Sequence, residues 1–312
     1  MKKGRIILSL LIIIILIIIG NVIFTKSHKN KNQEINPNQI KVAATIFPIY
    51  DILKNVGGDK IEPILILPPG ASPHTFEISP EQIKNLQNAK IIFTIGQNLD
   101  SWLNNIADAI PNSQLFDLYT QVNLVTLDAT NPNHRPDEDE EKSTGYDPHY
   151  WLNPENAILI AKATAKQLSI VDSANISYYE ERSNNFISQL TKADKGWKEK
   201  LDNLSEKNIV VFHDAWGYFA DHFNLNIIGT FEPFPGQEPT PKYLTELQKT
   251  VEENNIQTLF VEPQLSQESI TTLASDLGVK IDVLDPLGGV EGRNNYIELI
   301  NFNVENIYNL LK

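Results

Sequence analysis

The stretch from Ala174 to Leu204 constrains the fold most: it repeats apolar side chains at helical spacing, with no proline and no strand signal. A single helix there would be roughly 40 Å long at about 1.5 Å per residue. That is longer than most helices inside one small domain, so it reads as a bridge between two lobes. On either side, short apolar runs alternate with amphipathic ones. KVAATIF, IEPILIL and IIFTIG read as strands, with helices over PIYDILKNVGG and SPEQIKNLQNAK between them and NPENAILIAKATAKQLSIVD as a helix before the bridge. After the bridge come strands NIVVFH, NIIGTF, TLFVEP and KIDVLD, interleaved with helices over AWGYFADHF, TPKYLTELQKTVEENN and ESITTLASDLG, and a final amphipathic helix ending at Lys312. Strand–helix alternation implies parallel sheets covered by helices. The predicted architecture is α/β: two lobes, residues 39–173 and 205–312, each with a central, mostly parallel sheet flanked by helices, joined by one long bridging helix over 174–204. No internal repeat is strong enough to read from the sequence.

The N-terminus adds a membrane signal. Lys2, Lys3 and Arg5 precede an apolar run from Ile6 to Phe24 broken only by Ser9, Gly20 and Asn21. Such a run spans roughly 28 Å, about one hydrocarbon core, and the basic start orients the downstream chain to the outside. Residues 1–24 are expected to form an N-terminal anchor; a cleaved signal peptide is the alternative, although no small-x-small site comes after the run. Residues 25–38 are polar and turn-rich, a tether. The chain has no cysteine, so disulfides, thiolate ligands and lipid acylation of a cysteine are absent. Its net charge is −13, yet the first 34 residues carry six basic side chains against one acid, so the rest of the chain carries −18. An acidic body of that kind argues against nucleic acid as a partner. Residues 128–147 fall outside the alternation and hold Asp137, Glu138, Asp139, Glu140 and Glu141 in a row beside His134. They read as a solvated surface loop that could also collect cations weakly.

Three histidines stand in distinctive phrases far apart: His74 in PPGASPHTFEISP, His149 in DPHYWLNP and His213 in VFHDAWGYF. Asp285, in VLDPLGG, makes a possible fourth. Three imidazole nitrogens and one carboxylate oxygen suit a four-coordinate Zn²⁺. Separations of 75, 64 and 72 residues exclude a local zinc-finger clip, so only the whole fold could assemble the set. Any one such histidine is more often structural than ligating. Here, however, three of six, and Asp285 with them, fall in loops expected at equivalent ends of strands, two in each half of the chain, at the edge where α/β sheets bind ligands. His28, His134 and His222 have no such setting. Glu77 and Glu262 are carboxylates near the motifs that could orient an imidazole by accepting its second N–H.

These phrases, together with TIFPIYDILKNVGG, GQEPTP and FVEPQ, resemble successive signatures of the metal-binding (cluster A-I) solute-binding proteins of ABC importers, from about Ile40 to Lys312. The resemblance implies two α/β lobes joined by one long helix, with the metal between them and His74, His149, His213 and Asp285 as its ligands. It further implies a role outside the cytoplasm: capture of Zn²⁺ and delivery to an ABC permease by a monomer at the extracytoplasmic face of the cytoplasmic membrane, or secreted or periplasmic if the leader is cut. Members that take manganese or iron typically carry glutamate where this chain has His213, which resembles the zinc branch; Mn²⁺ favours carboxylate oxygens and higher coordination. The acidic loop departs from the histidine-rich loop often found in zinc members. Rival readings are a manganese or iron importer component, a surface adhesin, and a zinc hydrolase, the last disfavoured because no general base accompanies the histidines and Asp285 would close the site. The expectation is a binding protein, not an enzyme.

Overall fold

The computed structural model describes residues 39–127, 145–232 and 239–312. The expected anchor (1–24) and tether (25–38), and most of the acidic loop, lie outside the described residues. Among the described residues, no helix is long and apolar enough to cross a membrane.

Two four-stranded, all-parallel sheets form the frame. The first contains β1 (Ile40–Ala44), β2 (Ile61–Leu65), β3 (Ile91–Thr94) and β4 (Gln114–Asp117), ordered β2-β1-β3-β4. Helix α1 (Phe47–Gly57) connects β1 to β2, and α2 (Pro80–Leu86) leads into β3. The second contains β5 (Asn208–Val211), β6 (Asn226–Thr230), β7 (Thr258–Val261) and β8 (Lys280–Val283), ordered β6-β5-β7-β8. The two orders are the same, a structural repeat that the sequence does not reveal. Parallel strands covered on both faces are apolar throughout, and β3 and β7 are buried along their whole length. The edge strand β4 reads QLFD and is mostly exposed. Its four residues give no alternation to recognise, and a 3₁₀ segment, Ser101–Ala109, leads to it instead of an α-helix.

In the chain, α3 (Pro154–Val171) and the long helix α4 (Ile176–Asp202) lie between the strands of the first sheet and those of the second. Asn153 caps α3 by accepting from the Glu155 N–H at 2.8 Å, with proline at the first turn. Helix α4 buries Tyr179, Ser183, Phe186, Leu190, Trp197 and Leu201, a stripe at three- and four-residue spacing and its multiples. It packs on α1 and α3, and also on α8 (Tyr296–Leu311) and on α5 (Gly217–Phe223). The remaining helices, α6 (Pro241–Glu253) and α7 (Glu268–Leu277), flank the second sheet.

One apolar core runs through both halves. Val42, Phe93, Trp151, Leu190, Val211, Phe219 and Ile300 belong to a single buried cluster, while the outer face of each sheet has its own smaller one. Each large apolar side chain so buried contributes roughly 1.5–3 kcal/mol. Helix α8 ties the start of the fold to its end: the Tyr296 N–H donates to Asp51 Oδ2 at 2.9 Å, and its hydroxyl donates to the Trp151 carbonyl at 2.7 Å.

Candidate metal centre

The loop after β2 carries His74. The Ala71 N–H donates to the Pro68 carbonyl at 3.1 Å, and Gly70 has φ +84°, so proline then glycine at the two central positions make the turn PPGA. His213 follows β5 by two residues and is 4% exposed. His149 follows no strand; it opens a 3₁₀ turn whose next residues lock it in place. The Tyr150 hydroxyl donates to the Ile95 carbonyl, and Trp151 Nε1 donates to the Pro286 carbonyl, both at 2.8 Å.

These three segments bring the imidazoles face to face. Ring centroids lie 5.5 Å apart for His74 and His149 and 5.3 Å apart for the other two pairs. One nitrogen from each ring lies within 4.8 Å of the others, and His149 Nε2 is 3.4 Å from His74 Nε2. Two of the rings are oriented from behind by carboxylates. His149 Nδ1 donates to Asp147 Oδ1 at 2.9 Å, and that oxygen also accepts the His149 backbone N–H at 2.8 Å. His213 Nδ1 donates to Glu262 Oε1 at 2.8 Å, and Trp216 Nε1 donates to the same oxygen at 3.0 Å. With Nδ1 as the donor, each Nε2 presents a lone pair to the shared space. His213 Nε2 is buried and has no hydrogen-bond partner.

Burial and neighbouring charge act differently on two of the rings. Loss of hydration, then the neighbouring His213 and His149, hold the His74 imidazole below its ordinary pKa and keep it neutral. Of the three histidines, His74 alone is exposed as a residue. At His213 burial acts downward, but the charge and hydrogen bond of Glu262 outweigh it and the pKa is raised. Ser72, Pro73, Trp151, Gln264 and Leu265 help to enclose the small cleft.

With that geometry established, known proteins are informative. The family model described as "ZnuA: Zinc-uptake complex component A periplasmic" matches residues 42–310. The chain belongs to the ZnuA family. It is 30% identical over 291 residues to the manganese ABC transporter substrate-binding lipoprotein PsaA of Streptococcus mitis, covering 89% of this chain and 91% of that one. It is 25% identical over 289 residues to the zinc-binding protein AdcA of Streptococcus pyogenes serotype M3, covering 89% of this chain but 56% of AdcA, so it spans little more than half that relative's length. A crystal structure of ZnuA superposes with a TM-score of 0.78 at 27% identity, over 88% of this chain and all of that one.

Within this ZnuA-family fold, Asp285 is not part of the cluster formed by the three histidines and is held by partners of its own. It is 1% exposed, and its Oδ1 accepts from Gln264 Nε2 at 2.7 Å and from the Leu287 and Gly288 N–H groups at 3.0 Å each. Its Oδ2 pairs with Arg293 Nη1 at 3.2 Å. Pro286 and Leu287 line the cleft, and Asp285 does not. Glu77 is exposed, whereas Glu262 does orient an imidazole. His222 lies elsewhere, its Nε2 2.6 Å from Asp194 Oδ1, and His28 and His134 are outside the described residues. Sequence reasoning missed Asp147, although an aspartate two residues before a histidine is a readable signal for a local clamp. It also missed Gln264 and Arg293, whose contacts are long-range and leave no local pattern.

Proposed function

We propose that this protein captures Zn²⁺ outside the cytoplasmic membrane, in the cleft between its two α/β halves, and passes it to an ABC permease. His74, His149 and His213 are the ligands, each through a ring nitrogen with Zn–N bonds of about 2.0–2.1 Å. One observation carries the reading: the buried Nε2 of His213 has no partner and faces two more imidazoles, an arrangement that a cation completes. Asp285 would join the ligand set only by leaving Arg293 and Gln264. A nitrogen-only ring favours zinc over manganese. The PsaA relative makes manganese the second reading. Metal analysis of protein purified without added ions, with competition calorimetry for Zn²⁺ and Mn²⁺, tests the proposal. Zinc content that disappears in His74→Ala, His149→Ala and His213→Ala is expected; Mn²⁺ displacing Zn²⁺ would overturn the choice of ion. The N-terminal segment would hold the protein at the membrane, a point tested by fractionating cells expressing the full chain.

A further inference from the structure

Resting on the reading that the N-terminal segment holds the protein at the membrane, we propose that the corner between α3 and α4 is a lipid-docking face. It rests the first half of the fold on an anionic bilayer surface.

The corner carries an apolar tip. Ile170, in the last turn of α3, is 63% exposed, and Ile176, the first residue of α4, is 40% exposed. Among the described residues, Leu115 and Tyr146 are the only other large apolar side chains left so open. The two isoleucines flank a groove of about 550 Å³ between the helices. Lys166 and Lys162 continue the stripe of Ile170 back along α3 at four-residue spacing, and both are exposed. Lysine stems lie along apolar surface while their ammonium groups stay among phosphates, so this stripe matches the boundary between acyl chains and headgroups. Tyr178 fastens the corner to the start of β2, its hydroxyl donating to Asp59 Oδ1 at 2.6 Å. Lys60 and Arg182 lie 5.3 and 5.6 Å from the centroid of the Tyr178 ring, which holds two more cations beside the tip. The exposed Glu180 and Glu181 oppose the attraction.

A second observation is where the chain enters the fold. β1 begins at Ile40, which pairs with Ile61, the residue after Lys60. The segment bearing the apolar run therefore joins the fold at the same end as the corner. Fourteen residues, 25–38, intervene, and even fully extended they reach about 50 Å. A face kept that close meets the surface at high effective concentration, so weak individual contacts suffice. Charge then selects the face. Beyond residue 34 the chain carries −18, so an anionic surface repels most of the body and favours the end where apolar and basic side chains coincide. β2 leads from Lys60 toward the loop of His74, so in this resting orientation the histidine cleft is turned away from the bilayer and toward incoming metal. Delivery requires the body to lift, which a weak contact permits.

The chain has no cysteine, so one introduced thiol can be labelled uniquely. Ser173→Cys, in the corner, and Lys242→Cys, on the exposed start of α6, each receive a nitrobenzoxadiazole fluorophore. The full chain is incorporated into vesicles of phosphatidylglycerol and phosphatidylcholine in equal parts, or of phosphatidylcholine alone. Flotation reports anchoring, and quenching by doxyl-labelled lipid reports contact. In the anionic vesicles, quenching at position 173 should exceed that at 242 several-fold, and it should weaken in about 1 M salt. It should be lost on phosphatidylcholine alone. Ile170→Asn with Ile176→Asn should abolish the difference, as should Lys162→Glu with Lys166→Glu, which serves if the first pair does not fold. Glu180→Gln should strengthen it. Equal quenching at the two positions overturns the proposal, as does a difference that persists on neutral lipid or survives both double variants. Cross-linking between corners of two molecules in detergent would assign the face to a second copy and also overturn it. A full chain that fails to float removes the anchored reading and this proposal with it, whereas floating protein with equal quenching overturns this proposal alone.

Discussion

At the scale of single residues, two of the three clustered imidazoles are oriented from behind by carboxylates. Glu262 fixes the tautomer of His213, and Asp147 does the same for His149. Replacing Glu262 with Gln should weaken zinc binding by about 10- to 100-fold while leaving the fold intact, as should Asp147→Asn; chelator competition on each variant measures this. His74 adds a pH effect, because its folded pKa lies below its unfolded value of 6.5. The unfolded chain takes up that proton first, so this side chain's stabilising contribution is full above pH 6.5 and declines as pH falls through it. His213, raised in the fold, acts in the opposite sense: its contribution is full below 6.5 and lost as pH rises through its folded pKa. The metal-free His74→Gln variant should therefore lose less melting temperature than wild type between about pH 7.5 and about pH 5.5. An equal loss in both would show that His74 titrates normally.

At the scale of elements, α4 offers a clean test of helix energetics. Gly196 sits inside it, and a Cβ added there meets no heavy atom within 4 Å. Gly196→Ala should therefore stabilise the protein by about 0.5–1 kcal/mol, seen as a rise of roughly 2 °C in a thermal melt. The length and position of this helix were legible in the sequence because one apolar stripe, Tyr179 to Leu201, persists without proline. Seven of the eight strands were equally legible, since buried parallel strands are continuous apolar runs between turns. β4 was not, because an exposed four-residue edge strand has no face to pattern. The convergence of His74 and His213 was legible through their positions after strands, whereas His149, expected at the same kind of sheet edge, opens a 3₁₀ turn instead. The hydrogen-bond partners of Asp285 were not legible: Arg293, Gln264 and Asn303 become its neighbours only when α8 packs against β8.

For the whole molecule, the shared core limits how far the halves can separate. Trp151 donates to Pro286, Tyr296 to Trp151, and the Val125 N–H to the Tyr218 hydroxyl at 2.8 Å, so hydrogen bonds join the two halves beside the apolar cluster. Solution scattering should give the same radius of gyration with and without zinc, within error; a clear contraction on loading would contradict the shared core. Since the three imidazoles come from loops in both halves, the proposed capture of zinc predicts that zinc at about 100 times its dissociation constant adds about 2.7 kcal/mol to one cooperative unfolding transition. Calorimetry resolving two transitions would show that the halves melt independently.

Helix α8 gives this architecture an order in time. It buries Tyr296, Leu299, Ile300, Asn303, Val304 and Ile307 against partners synthesised far earlier, Asp51 among them. A polypeptide still being synthesised has made His74, His149 and His213 long before that keystone arrives. Until then the chain lacks the contacts that hold the three segments in place, so the clustered imidazoles belong to the finished protein and not to its intermediates.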